Sequence, residues 1–346
     1  MMKEIIKDRF PKTVSKIKKI KTEINTLFHR RKKTPSFPFY ICLEITNACN
    51  LRCIHCLYQG GTASHYRGKV GFVEVDFAKG ILDQLQPYKA GVMLNGDGEA
   101  LLHPRFHEIA RHAVSLGLPN VYFNSNGTLF KHEFVDEFIT YYKGAVSISL
   151  DGFKESHERI RKGSSYDSVV NNIFYLNDWI KKNNLPIELS VNYCNLDQPE
   201  GEREEFIKYW LKQVNKVSIG EVYNKDYKII SNRLNTKTNS NRVECRVPWE
   251  TFIVKWNGLV IPCSNCFSLD DDPDIVLGDA KKQFLKDIWN GKNIMKLRQR
   301  MENISNIAGT ICENCERWNM YVCFEDEKDY GFIKKRSGIF TTYIKV

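Results

Sequence analysis

From residue 39 onward, two hydrophobic periods alternate along the chain. Short apolar runs of strand type occur at Phe39–Ile45, Ala90–Leu94, Asn120–Asn124, Ala145–Leu150, Ile187–Tyr193 and Lys216–Glu221. Between them, apolar residues three and four apart predict helices over Phe77–Gln86, Phe106–Leu116, Glu133–Tyr142, Tyr166–Lys182 and Arg203–Val214. Repeated strand-then-helix units imply a parallel sheet with helices packed outside it. There are about six such units, short of the eight of a closed barrel. The expected fold is therefore α/β, a partial (βα)6 TIM-like barrel. Sites in such sheets gather at the carboxyl ends of the strands. The suggestive residues fall there: three Cys after the first strand, Gly96–Glu99 after the second, Asn124–Gly127 after the third, Asp151–Gly152 after the fourth and Cys194 after the fifth.

The flanks differ. In residues 11–30, Val14, Ile17, Ile20, Ile24 and Leu27 recur at helical spacing with Lys opposite, and Pro11 suits a first turn. The plain reading is a helix docked on the main domain with a solvated basic face. A helix lying on a membrane surface is the second reading. Thr34–Pro38 reads as a linker. Ser231–Asn241 is polar and without period, and residues 245–325 hold six Cys and little βα rhythm. The expected division is 1–38, a basic helix and linker; 39–224, the partial barrel; and 225–346, a small metal-stabilised domain with a tail.

Composition narrows the classes. With 42% hydrophobic and 27% charged residues among 346, disorder, collagen and coiled coil are excluded. No apolar run approaches the ~18 residues that span a bilayer. No secretory h-region is recognisable, so a cytoplasmic protein is expected. Of the net charge of +10, residues 1–33 carry nearly all, with twelve Lys/Arg against three Asp/Glu. A nucleic-acid partner thereby loses its main support. Eleven Cys in a reducing compartment point to metal or redox chemistry rather than disulfides. Nine of them cluster; only Cys42 and Cys194 stand apart.

The stretch Cys49-Asn-Leu-Arg-Cys53-Ile-His-Cys56 places three thiols in one loop. Such thiolates converge on a soft metal or an iron–sulfur cluster. No fourth Cys is near, and an open coordination position is what catalysis needs. A zinc site completed by His55 is disfavoured, since His55 lies between two ligands and adjacent to one. The setting "EITNACNLRCIHC" resembles the radical S-adenosylmethionine family. "NGDGEALLHPRF", "NSNGTL", "SISLDG" and "HERIRKG" resemble later family segments in the same order, and the likeness covers roughly residues 39–220. It implies that Cys49, Cys53 and Cys56 hold a [4Fe–4S] cluster whose open iron takes the methionine moiety of S-adenosylmethionine. Reductive cleavage then gives a 5′-deoxyadenosyl radical that takes hydrogen from an unactivated C–H. The likeness further implies that Gly96 and Gly98 admit the ligand closely, that Glu99 accepts from its ammonium, that Arg161 forks onto its carboxylate, and that Asn126 and Ser149 meet the ribose. Ala100 stands where the family usually has Pro. Without this context Arg161 reads as a surface partner of Glu158. A reductase such as a flavodoxin or ferredoxin is implied as partner.

Cys263-x2-Cys266 and Cys312-x2-Cys315 are two knuckles, which alone suit structural zinc as well as a cluster. The segment from Cys245 to about Cys315, with Gly258-x4-Cys263 and "IWN", resembles the SPASM extension of radical S-adenosylmethionine enzymes. It implies that Cys245, Cys263, Cys312 and Cys315 bind one auxiliary [4Fe–4S] cluster. Only Cys323 follows the last knuckle, so a second auxiliary cluster is not expected. Cys266 and Cys194 are left over. Each reads plainly as a buried thiol; each can also return a hydrogen atom to a carbon radical, because an S–H bond is weaker than most C–H bonds. The expected function is radical epimerisation of a small or glycan-like substrate with a Cys donor. Dehydrogenation of a carbinol through the auxiliary cluster, or epimerisation, thioether formation or C–C crosslinking of a ribosomal peptide, are the alternatives. An iron–sulfur or zinc scaffold is the non-enzyme reading.

Overall fold

Six strands run parallel, each beside its predecessor in the chain: β1 (Tyr40–Glu44), β2 (Gly91–Asn95), β3 (Val121–Ser125), β4 (Gly144–Ser149), β5 (Ile187–Asn195) and β6 (Lys216–Glu221). The computed structural model describes residues 34–58, 69–222, 242, 244–267, 272–321, 326–329, 331–337 and 340–345. Helices α1 (Val75–Asp83), α2 (Phe106–Ser115), α3 (His132–Phe138), α4 (Lys154–Ile160), α5 (Tyr166–Asn183) and α6 (Glu202–Gln213) fill the crossovers. Sequential order with right-handed crossovers puts them all on one face of the sheet. That face is apolar: Leu43, Leu94, Phe123, Ile148, Val191 and Ile219 join the helices in one core. The period of two sends the other residues to the concave face. There the register sets Glu44 beside Asn95, Asn124 beside Ser147, and Asn192 beside Ser218. The half-barrel thus has a greasy outside under helices and a polar inside.

The sheet continues past both ends of this set. β7 (Ile253–Val254) lies parallel to β1, followed by antiparallel β8 (Leu259–Ile261) and β9 (Gly278–Asp279). At the far edge β12 (Phe340–Ile344) pairs antiparallel with β6 and carries β11 (Phe332–Arg336) and β10 (Glu327–Asp329). Residues 253–279 and 327–344 therefore extend opposite edges of one sheet of twelve strands. Both fall within residues 225–346, where the strand-then-helix rhythm of the sequence has ended. Short helices α7 (Val247–Glu250), α8 (Leu285–Trp289) and α9 (Lys292–Glu302) complete the cysteine-rich part.

The expected linker is a packed strap: Phe37 is buried and stacks on Tyr88, and Pro35 O accepts from Trp289 Nε1 at 2.8 Å. The basic segment 11–30, Ser231–Asn241 and Cys323 lie outside the described residues. Among those described, no helix is long and apolar enough to cross a membrane.

Candidate active site

The loop leaving β1 carries the first three thiols and is pinned from two sides. Asn47 Oδ1 accepts from Gly71 N, and Asn47 Nδ2 donates to Lys69 O. Arg52 N and Ile54 N donate to Lys162 O and Ile160 O, the carbonyls at the end of α4. Cys53 is buried, while Cys49 and Cys56 are half-buried, and Leu51 N donates to Cys49 Sγ at 3.5 Å. Burial pushes the Cys49 thiol up and that of Cys53 to about 11. Packed thiols of this kind become ligands only when a cation replaces their protons.

The turn after β2 is pressed onto the same loop. Glu99 N donates to Ala48 O at 2.7 Å, and a Cβ on Gly98 would stand 2.1 Å from that oxygen. One on Gly96 would stand 2.3 Å from Glu44 Cγ. The Glu99 carboxylate is buried and ties β2 to β3. Its Oε1 accepts from Ser125 Oγ at 2.8 Å and Leu101 N at 3.2 Å, and its Oε2 from Asn126 N at 2.6 Å. Burial raises its pKa, and those three donors oppose the rise. Asn126 Nδ2 donates to Asn50 Oδ1, and Asn126 Oδ1 takes Thr128 N, so this side chain braces the cysteine loop. Ser149 stands half-buried at the concave end of β4.

Beyond β4, Asp151 is fully buried. Its Oδ1 accepts from Cys194 N at 2.7 Å, and its Oδ2 lies 2.8 Å from Arg161 Nε. Burial pushes the Asp151 carboxyl up, but Arg161, His55 and the Cys194 amide outweigh it and hold it below the usual range. Arg161 Nη1 is 3.9 Å from Cys53 Sγ. Arg161 is thus a buried partner of Asp151 at the first thiol group; Glu158 instead accepts from Tyr166 N. Behind the pair, His157 is buried and neutral, its pKa lowered to about 4 by burial. His55, Asp151 and Cys194 bring ligand-type atoms within 4.8 Å of one another.

The second thiol group joins residues far apart in sequence. Cys263 Sγ and Cys266 Sγ are 3.6 Å apart, and Cys245, Cys312 and Cys315 all interact electrostatically with Cys263. The Cys266 thiol and Arg317 hold Cys263 down to about 7 against burial. Asn265 Nδ2 and Arg317 N both donate to Cys315 Sγ, as donors around cluster thiolates do. Two soft donor sets of this kind, one of three thiols and one of four with a fifth adjacent, fit two iron–sulfur clusters better than two zinc sites. They are also linked: Tyr58 OH donates to Ser264 O at 2.7 Å. Cys42, Met93, Tyr58, Cys263 and Cys266 share one apolar cluster, so the second group backs onto the concave side of β1 and β2.

Asp151 was visible in the sequence only as a strand-end residue, and the Tyr58 link had no signal there. Its partner lies over 200 residues away.

Residues 43–209 match the family described as the radical SAM superfamily, and residues 245–316 match SPASM, an iron-sulfur cluster-binding domain. The chain belongs to the radical SAM superfamily and is an enzyme of its SPASM type. Its cofactors are S-adenosylmethionine and two [4Fe–4S] clusters. The AdoMet-dependent heme synthase of Methanosarcina barkeri is 33% identical over 125 residues, covering 36% of this chain and 34% of that one. The match therefore spans about a third of that relative's length. The tungsten-containing aldehyde ferredoxin oxidoreductase cofactor-modifying protein of Pyrococcus furiosus is 24% identical, covering 79% of this chain and 86% of its own. In fold, the chain resembles Streptococcus suis SuiB bound to S-adenosylmethionine, with TM-score 0.62, 15% identity, and 81% and 72% of the two chains covered.

Proposed function

We propose that the chain is a radical epimerase of a small polar substrate held on the concave face, with Cys266 as hydrogen donor. In this reading Cys49, Cys53 and Cys56 hold the catalytic cluster, and Cys245, Cys263, Cys312 and Cys315 hold the auxiliary one. Gly96, Gly98, Glu99, Asn126, Ser149 and Arg161 form the S-adenosylmethionine pocket. Bound there and reduced, S-adenosylmethionine supplies a carbon radical that takes one hydrogen atom from the substrate. The carrying observation is the position of Cys266. Its thiol is buried with Cys42 and Met93 of the concave face and stands 3.6 Å from Cys263 Sγ. Cys194 stands instead with Asp151 and Arg161, beside the first thiol group. A donor on the opposite side inverts the carbon.

The Cys266 S–H bond breaks and a substrate C–H bond forms. The sulfur, one hydrogen short, regains an electron by way of the adjacent Cys263 and a proton from solvent. Each turnover consumes one S-adenosylmethionine and two electrons, which a flavodoxin or ferredoxin supplies in the cytoplasm. The names of relatives range over heme, a tungsten-enzyme cofactor and, for SuiB, a bound precursor peptide SuiA. The substrate is therefore argued from this chain's own residues.

The test uses anaerobic enzyme, dithionite and a cell metabolite extract in D2O, read by mass spectrometry. Wild type should place one deuterium in a single compound, dependent on S-adenosylmethionine. Cys266→Ala should keep both clusters and cofactor cleavage yet lose the deuterium. A product two hydrogens lighter, without deuterium, would make the enzyme a dehydrogenase.

A further inference from the structure

The concave face carries a group of amides that neither the clusters nor the cofactor pocket uses. Asn95 on β2, Asn124 on β3 and Asn192 on β5 point into the half-barrel and are linked. Asn124 N donates to Asn95 Oδ1 at 2.7 Å, and Asn192 Nδ2 donates to Asn124 Oδ1 at 3.1 Å. Tyr122 OH donates to the same Asn124 oxygen. That oxygen is thus filled. The Nδ2 hydrogens of Asn95 and Asn124 meet no protein group among the described residues, the Asn192 side chain also bonds Tyr122, and all three side chains are only half-buried. Four donor hydrogens are therefore presented to the cavity by a pre-tied, uncharged frame.

The depth of this frame is informative. Asn124 precedes Asn126 by two residues on the same face and pairs with Ser147, while Asn192 pairs with Ser149, two residues further along. Two residues of strand are about 6.6 Å, so Asn95 and Asn124 lie roughly one six-membered ring below the level of Asn126 and Ser149, and Asn192 spans up to that level. Two residues below Asn95 on the same face lie Met93 and Cys42, packed with Cys266. The three amides are themselves uncharged, and Glu44 beside Asn95 and Arg317 near Cys42 are charged groups close to them. Lys216, which shares their face, pairs with Glu188 at 2.8 Å at the opposite, amino ends of the strands. The Glu44 carboxylate accepts from Asp97 N and Trp256 N. The three amides themselves offer a phosphate or carboxylate no cation. A hydroxyl both donates and accepts.

We propose that Asn95, Asn124 and Asn192 determine specificity and take the hydroxyl groups of a neutral polyhydroxylated ring. This rests on the reading of the concave face as the substrate site.

Saturation-transfer NMR on anaerobic, cluster-loaded enzyme with S-adenosylmethionine tests it, using a panel of hexoses and cyclitols, glucosamine, and a blocked dialanine peptide as probes. At least one neutral polyol should bind at millimolar concentration. Asn124→Leu should weaken it about tenfold, the effect of one lost hydrogen bond with its partner left unpaired. Asn95→Asp keeps the acceptor for Asn124 N but turns a free amide into a carboxylate. It should lose neutral polyol by about the same factor and gain glucosamine, a switch that a merely structural role would not produce. No polyol binding to wild type, equal binding to both variants, or Asn124-dependent binding of the peptide alone would each overturn the proposal. Dithionite-driven cofactor cleavage without substrate is measured alongside. Retained cleavage with failed polyol binding sinks only this inference, whereas absent cleavage in wild type sinks the radical reading itself.

Discussion

Glu99 shows how one side chain serves two neighbouring turns. Its carboxylate takes Ser125 Oγ, Asn126 N and Leu101 N inside a dry pocket. Removing it leaves three buried donors without their acceptor, each costing about 1–3 kcal/mol. It also frees Asn126, which braces the cysteine loop through Asn50. Glu99→Ala should therefore unfold at lower urea and bind S-adenosylmethionine about tenfold or more weaker, with iron content unchanged. Equilibrium binding and iron analysis on the anaerobic protein check this. Unchanged affinity would remove Glu99 from the cofactor pocket. Glu99→Gln retains the shape and one acceptor, and should fall between.

At the scale of elements, α4 is the piece that positions Arg161. It is only seven residues long, and its first turn is held from outside: Phe153 N and Ser156 Oγ both donate to Glu202, at the start of α6. Under it, His157 Nδ1 accepts from Asp151 N at 3.3 Å, and Nε2 meets Ser164 Oγ at 2.9 Å. Burial lowers His157 to about 4, so the folded state keeps it neutral while the unfolded chain protonates near 6.5. Its contribution is full above the unfolded value and is lost as pH falls towards the folded one. Between pH 7.5 and 5.5 that amounts to about 1.4 kcal/mol. Urea midpoints of wild type should fall over this window, and those of His157→Gln should fall less. Equal slopes would mean that His157 is not held neutral.

The six barrel strands and five of their helices were legible because each repeats its own period. The short α4 was legible only as a motif, because its stability comes from Glu202 and not from its own pattern. The partner of Arg161 was not legible either. Glu158 is nearer in sequence, and only the turn after β4 brings Asp151 to it. The resemblance to the SPASM extension set Cys266 apart from the expected ligands, but its place against Met93 is a tertiary fact.

For the whole molecule, the C-terminal hairpin decides how the sheet ends. Without it β6 would be an edge with a row of unpaired amides, a template for pairing with other chains. β12 covers that edge over five residue pairs, from Phe340 against Gly220 to Ile344 against Lys216. Tyr343 and Thr341 are buried against the core as it does so. The edge is thereby handed outward to β10, a strand of three residues with Lys328 at its centre, a poor template. The seven proposed cluster ligands all precede residue 316. A chain ending at residue 325 should therefore load as much iron as the full chain while losing the burial of Tyr343 and its neighbours. The expected loss is about 2–3 kcal/mol, a fall of roughly 3–5 °C in melting temperature. The bared β6 should also make the shortened chain self-associate with rising concentration in sedimentation velocity. A truncated protein that melts with the full chain and stays monomeric would show that β12 adds nothing to the sheet. One that loses iron would show instead that the hairpin supports the cysteine-rich part at the opposite edge.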